Sequence, residues 1–332
     1  MATIYEVSER AGVSLATVSR VINGTAKVSE KTRQRVMAAM KALNYRPNSA
    51  AQSLASNCYN SVGMLVSEVH GPFFGEMMSG VETVLRAAHK HVIIAAGHSD
   101  EQSEKEAIEF LRGRSCDALI LHADAVSDQY LIDLAKEDDA FVVMNRHIDA
   151  IADQCISLDN RHGGYLATKA LLEQGHRKIA YIAGPLKKTD AKERLQGHKK
   201  ALREFDVAFD AALMREGDFE SASGAQAMSE LLKAGKKFTA VVCGNDEMAC
   251  GAMNTARDAG LQLPEDLSII GFDNVIMSRY TFPHLSTIDY PIGEMGRMAA
   301  KWVLKNIYQQ DDIDIIHHFE PSLILRDSVK AK

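Results

Sequence analysis

Residues 1–46 read MATIYEVSERAGVSLATVSRVINGTAKVSEKTRQRVMAAMKALNYR, and the punctuation of this stretch decides the architecture of the N-terminus. Thr3-Ile4-Tyr5-Glu6 has the form of a capping box, in which a hydroxyl and a carboxylate each satisfy an unpaired backbone N–H, so a helix starts at Ile4. Ile4, Val7 and Ala11 follow at helical spacing, and Gly12 supplies the residue that ends a helix in a tight turn. Ser14 caps a second helix, Leu15 to Asn23, with Val18, Val21 and Ile22 on its buried side. Asn23-Gly24 marks a turn. Ser29 caps a third helix with Val36, Met40 and Leu43 on one face, and Pro47 is expected to stop it. Two helices joined by a short turn present the second one to the major groove of DNA. Leu15, Ala16 and Thr17 lie at the outward start of that helix, with Arg20 one turn later. Arginine pairs bidentately with guanine, and small apolar groups meet the thymine methyl.

Charge supports this division. The 332 residues carry 38 Lys+Arg against 44 Asp+Glu, a net of −6. Residues 1–60 hold eight basic and three acidic side chains, +5, which leaves −11 for the remainder. A basic head on an acidic body reads as a polyanion-binding module joined to something else. Charged residues make up 25% of the chain, which excludes wholesale disorder. No apolar run approaches the ~18 residues of a membrane span, and Glu6 and Glu9 stand where a signal peptide would be basic. The five cysteines (Cys58, Cys116, Cys155, Cys243, Cys250) form no CxxC pair, so neither a disulfide framework nor a zinc knuckle is expected. A reducing bacterial cytoplasm is the expected location.

From Ser61 onward, short β-branched runs alternate with amphipathic stretches. Expected strands are 62–66, 91–96, 118–121, 141–144, 155–158, 178–183, 240–243 and 267–272. Expected helices are 74–89, 101–112, 163–174, 195–205, 223–233 and 247–259. This is an α/β pattern with parallel sheets, long enough for two lobes. Strand 155–158 ends in Asp159-Asn160, where a new strand–helix series begins. Tyr290-Pro291 and Glu320-Pro321 punctuate the chain again, with helix 293–307 and strand 313–317 between them. The expected organisation is a DNA-binding head at 1–46 and a hinge at 47–60. One lobe takes 61–159 and 292–320; the other takes 160–291 and 321–332.

The head resembles the lactose/galactose repressor family over residues 1–55, through ATI, AGVS, ATVSRVIN, VSE, Y-x-PN and A-x-SLA. The body resembles the periplasmic sugar-binding fold that forms the family's effector domain, as far as residue 329. The resemblance implies a helix-turn-helix head plus a two-lobed, type I periplasmic-binding-protein-like domain. It places Leu15, Ala16 and Arg20 at base edges and Thr17, Ser19 and Asn23 near phosphates. NSAAQSLASN (48–57), capped by Asn48, is too short to hold helix alone, since roughly 12–15 residues are needed. In the family this segment folds on DNA as a hinge helix and drives a leucine into the minor groove; Leu54 occupies that place.

Ligands of open α/β sheets sit beyond the carboxyl ends of the strands, here between the lobes. Asn145-Arg146, Asp190 and Arg194, Asn245-Asp246, Asp273-Asn274, His122 and the HGPFF loop at 70–74 all follow strands. Asp246 also suits the N-cap of the following helix. Planar polar groups beside an aromatic wall suit a polyhydroxylated ring. The stretches HGPFFGEM, VVMNR, AKERLQGH, AVVCGNDEMACGAM and LSIIGFDNVIMSRY resemble the galactose branch. They imply an effector pocket of Phe73, Arg146, Asp190, Arg194, Phe219, Asn245, Asp246 and Asp273. AGPL, GDFE and GFDNV also resemble the purine branch, although Arg146 stands where that branch has an aromatic. On this reading Arg146→Ala abolishes induction.

No GxGxxG, GxxxxGK, GxSxG or HExxH occurs, and the 12 histidines show no metal-ligand spacing. The expectation is a non-enzymatic repressor without cofactor or metal. Its partners would be operator DNA, a monosaccharide such as galactose that releases it, and a second copy of itself in a homodimer. A corepressor-dependent regulator, a sugar-binding module without DNA function and a doubly wound sugar enzyme are the alternatives.

Overall fold

The computed structural model describes residues 2–23, 28–46, 58–137 and 139–332. The chain divides into Met1–Asn60 and Ser61–Lys332.

Three helices form the described part of the first unit: α1 (Ile4–Ala11), α2 (Leu15–Asn23) and α3 (Glu30–Ala42). The capping box on α1 is complete, with Thr3 N–H donating to Glu6 at 2.7 Å and Glu6 N–H to Thr3 Oγ1 at 3.4 Å. Gly12 closes α1 at φ 59°. Ser14 and Ser29 accept the backbone N–H of Thr17 and Thr32, three residues on. α3 ends earlier than Pro47 would require. Asn44 turns left-handed (φ 47°) and Tyr45 N–H returns to the Met40 carbonyl at 2.9 Å, so the local cap, not the proline, stops the helix. Val7, Ala11, Val18, Val21, Val36 and Ala39 make the core. Arg35 reinforces it by donating to the carbonyls of Ala11 and Gly12, which ties α3 to the end of α1. The expected hinge helix, with Asn48 and Leu54, lies outside the described residues.

The second unit holds two parallel sheets. The first has the order β11-β5-β4-β3-β1-β2. Its strands are β1 (Ser61–Val66), β2 (His91–Ala96), β3 (Ala118–Leu121), β4 (Phe141–Met144), β5 (Cys155–Leu158) and β11 (His318–Phe319). Side chains alternate between two cores. Val62, Met64 and Val66 of β1 face α4 (Pro72–Ala87) and α11 (Ile292–Asn306). Leu65 faces α5 (Glu101–Gly113) and α6 (Asp128–Leu134). The second sheet has the order β7-β6-β8-β9, from β6 (Ile179–Ala183), β7 (Met214–Glu216), β8 (Ala240–Cys243) and β9 (Ser268–Ile270). It lies between α7 (Asn160–Glu173) with α8 (Thr189–Glu204) and α9 (Ser221–Lys233) with α10 (Asp246–Asp258). A short antiparallel pair, β10 (Thr287–Asp289) and β12 (Ser322–Ile324), completes the fold.

Several expectations move. β7, β10 and α6 are too short to show a period in the sequence. The strand expected at 313–317 is irregular chain, and only His318 and Phe319 pair with β5. α8 starts at Thr189 instead of Leu195, so Asp190 and Arg194 lie one turn apart on a helix rather than in a loop. That helix meets α7 at very close range. A Cβ on Gly164 would lie 2.0 Å from the Arg194 carbonyl oxygen, and one on Gly197 2.0 Å from that of Arg161.

Candidate functional site

On α2, Ala16 and Arg20 are exposed, Leu15, Thr17 and Ser19 are half-buried, and Val18 and Val21 turn inward. Thr17 Oγ1 is 2.9 Å from Ser14 Oγ, which fixes it at the helix start. Asn23 is the last residue of α2. The helix therefore offers one outward face whose reach is set by Arg20.

In the second unit a cavity of ≈ 330 Å³ opens between the sheets. Six of the eight expected pocket residues line it: Phe73, Asp190, Arg194, Phe219, Asn245 and Asp273. Arg194, 3% exposed, is its centre. Its Nε donates to Asn160 Oδ1 at 2.8 Å and its Nη1 to the Gly244 carbonyl at 2.6 Å. Asp273 Oδ1 is 3.4 Å and Asp190 Oδ2 4.0 Å away, and the guanidinium carbon sits 3.7 Å over the Phe272 ring. The group is thus held planar, desolvated and charged, with carboxylates on two sides. Burial pushes the Asp273 carboxyl up to about 7; Arg194 pulls the other way without offsetting it. Asp273, Phe219 and Asn145 line the cavity at φ 105°, 76° and 60°. Backbone strain of this kind concentrates at binding sites.

Two expected residues are not part of the lining. The Arg146 side chain turns away: Nη1 donates to the Val126 carbonyl at 2.8 Å and Nη2 pairs with Asp128 at 2.6 Å. Its neighbour Asn145 faces the cavity in its place. Asp246 lies fully buried beneath the site, accepting from Thr287 Oγ1 at 2.6 Å and from Val275 N–H at 3.0 Å. Burial and the nearby Asp273 push its carboxyl well above the usual range. The N-cap of α10 is Asn245, whose Oδ1 accepts from Met248 N–H while Nδ2 donates to the Phe219 carbonyl at 2.8 Å. Asp246 and Asn245 position loops; they spend their polar atoms on the protein.

Further lining residues come from the other wall. Asp124 accepts from Ser67 Oγ at 2.8 Å, Ser99 Oγ at 3.2 Å and Lys188 Nζ at 2.9 Å. The buried Glu104 carboxylate holds the Asp124 loop by accepting the N–H groups of Asp124, Ala125 and Val126. His122 lies against Phe74, ring centroids 5.5 Å apart, and its Nε2 has no partner among the described residues. The strand-end signal that pointed to His122 applies equally to Ser67, which directly follows β1, but nothing local marked Asp124 or Glu104.

Residues 3–48 match the family described as "Bacterial regulatory proteins, lacI family", and residues 168–329 match a periplasmic binding protein-like domain. The chain is 43% identical to the HTH-type transcriptional regulator GalR of Escherichia coli K12 over 331 residues, covering 100% of this chain and 96% of that one. It is 36% identical to the HTH-type transcriptional repressor PurR of Aliivibrio salmonicida, covering 99% of each. The chain belongs to the LacI family. Among solved structures, the Lac repressor dimer bound to operator and the anti-inducer ONPF matches at a TM-score of 0.88, with 30% identity and 99% of each chain covered. The protein is accordingly a DNA-binding transcriptional repressor of the LacI family, with a helix-turn-helix head and a two-lobed effector domain. Its relatives are regulators, not enzymes. No helix among the described residues is long and apolar enough to cross a membrane.

Proposed function

We propose that this repressor is released from its operator by a monosaccharide, galactose first, bound between the lobes. The observation that carries the reading is the Arg194 cluster. A buried guanidinium, flanked by Asp190 and Asp273 and walled by Phe73 and Phe219, offers paired hydrogen bonds and an apolar face to a sugar ring. The unpartnered His122 Nε2 suits a ligand hydroxyl. The 43% identity to GalR supports galactose; the 36% identity to PurR keeps a purine corepressor as the second reading.

The lobes are read as 61–159 with 292–320 and 160–291 with 321–332, and the protein as a cytoplasmic homodimer. Support for the dimer is the turn after β9, where Ile276, Tyr280 and Phe282 stand 54%, 80% and 84% exposed. Two α2 helices then enter successive major grooves, with Leu15, Ala16 and Arg20 at base edges and Thr17, Ser19 and Asn23 at phosphates. Asn48 and Leu54, outside the described residues, are taken as further DNA contacts, with Leu54 at the minor groove between the half-sites.

A thermal-shift panel of galactose, glucose, ribose, hypoxanthine and guanine, paired with operator release followed by fluorescence anisotropy, tests this. Galactose is expected to raise Tm and lower operator affinity. A purine that raises both would replace the sugar reading with the corepressor one.

A further inference from the structure

β5 and β11 end side by side just before the chain leaves the first sheet. Ser157 is paired with His318 and Leu158 with Phe319. One step further, Asp159 N–H donates to the Phe319 carbonyl at 3.1 Å, which brings Asp159 beside Glu320. Side chains alternate along a strand, so Ser157 and Asp159 leave β5 on the same face as His318 and Glu320 leave β11. One ligating atom each from Asp159, His318 and Glu320 lies within 4.8 Å of the others.

The histidine is oriented from outside this trio. Its Nδ1 is 3.2 Å from Ser157 Oγ, while Ser157 Oγ donates to the His317 carbonyl at 3.5 Å. The ring's other nitrogen, Nε2, lies 3.6 Å from Glu320 Oε1. Metal-binding imidazoles are commonly aimed by such a bond on the other nitrogen. Asp159 Oδ1 caps α7 by accepting from His162 N–H at 2.7 Å, which leaves Oδ2 available.

We infer that Asp159, His318 and Glu320 bind one divalent transition-metal ion, with solvent in the remaining coordination positions. An imidazole nitrogen with two carboxylate oxygens suits Zn²⁺, Co²⁺ or Ni²⁺; Mg²⁺ and Ca²⁺ prefer all-oxygen shells. The ion ties together two strands that lead onward, through Asn160 into α7 and through Pro321 into β12. Asn160 also receives the Arg194 guanidinium, so the ion sits one residue from the cleft machinery. No sequence spacing reveals this trio, because strand pairing assembles it from distant parts of the chain.

The test is calorimetric titration of the full-length, chelator-treated chain with ZnCl₂, repeated with CoCl₂ and read by visible absorption. One tight equivalent is expected, undisturbed by millimolar Mg²⁺. His318→Ala and Glu320→Gln are each expected to weaken it by about tenfold or more. Asp159→Asn, which keeps a capping side chain, is expected to do the same. His317→Ala, whose ring is 2.9 Å from the Cys155 carbonyl, is the control that retains binding. Thermal melts of each variant establish that it folds. Absence of a stoichiometric site in the parent chain, or an affinity in Glu320→Gln and His318→Ala equal to that of the parent chain, overturns the proposal.

Discussion

Lys188 Nζ lies 2.9 Å from Asp124 Oδ2 and joins the loop before α8 to the loop after β3 across the cleft. Burial alone would push the Asp124 carboxyl up. The charges of His122 and Lys188, with hydrogen bonds from Lys188 and Ser67, more than offset this and hold it below the usual carboxylate range. Burial likewise lowers Lys188, and Asp124 more than restores it. Because the Asp124 pKa is depressed, its stabilisation is present above the ordinary carboxylate range and lost as the pH falls through it.

Removing one partner of so enclosed a pair strands the other. Lys188→Ala is expected to destabilise the second unit by about 2–3 kcal/mol in urea unfolding at pH 7.5. The same change in an Asp124→Ala background is expected to cost at least ~1 kcal/mol less. Additive losses would mean that the two residues do not meet across the cleft in solution.

Gly164 lets α7 and α8 touch. Its added Cβ would meet backbone, the Arg194 carbonyl oxygen at 2.0 Å, and backbone cannot swing aside as a long side chain can. Gly164→Ala is expected to cost about 1–3 kcal/mol of stability. It should also weaken effector binding, because the residue pushed is the one that orients the guanidinium. Gly113→Ala is the control: nothing lies within 4 Å of its Cβ, and Tm should hold or rise. Equal behaviour of the two variants in thermal melts would remove the packing argument.

Much of the site was legible because strand ends are legible. AVVC, FVVM and LSIIGF show where the sheets stop, and the polar residues beyond them mostly reach the cleft. Direction was not legible. Asn145 and Arg146 both follow β4, and only the fold shows that Arg146 turns to Asp128 while Asn145 turns inward. Asp246 looked like a cap from the order of residues, yet Asn245 makes the capping bond. Asp124 and Glu104 meet through tertiary packing alone. In the fold, the repeating elements were readable from period and composition, and the short strands β7, β10, β11 and β12 were not.

That distinction carries its own test. Arg146→Ala is now expected to lower stability through the lost ties to Val126 and Asp128, with effector affinity changed by no more than about threefold. Arg194→Met is expected to weaken effector binding by at least about a hundredfold, since a buried charged hydrogen-bonding group costs ~3 kcal/mol or more when lost. Titration calorimetry with the effector found in the panel separates them. An Arg146→Ala variant that folds normally but no longer binds would return Arg146 to the pocket.

For the head, Arg20 is exposed on α2. Arg20→Ala is expected to cost about 1–3 kcal/mol on the best operator and to relax preference at one base pair in each half-site. Binding to an operator set with every base varied measures this. A uniform loss on all sequences would assign Arg20 to the phosphate backbone.

The last prediction concerns pH. His198 is 1% exposed, and its Nδ1 is 2.8 Å from Thr168 Oγ1. Thr168 donates to the Gly164 carbonyl at 3.0 Å, so its oxygen accepts from the neutral imidazole. The ring lies against Tyr181, with centroids 4.6 Å apart. Burial, aided by Lys199, pushes this imidazole from 6.5 down to about 3. The unfolded chain therefore binds a proton that the folded chain refuses throughout that interval. The stabilisation is complete above pH 6.5 and declines as the pH falls, by up to about 1.4 kcal/mol per unit. Between pH 7.5 and 5 this single group is expected to remove about 2 kcal/mol. His198→Gln begins less stable, because its packing against Tyr181 is poorer, but should lose less on acidification. Urea unfolding of both proteins at pH 7.5, 6.5, 5.5 and 5 reads the difference in slope, since the carboxylates common to both cancel. Parallel stability curves would show that His198 accepts its proton without unfolding and that the acid response lies elsewhere.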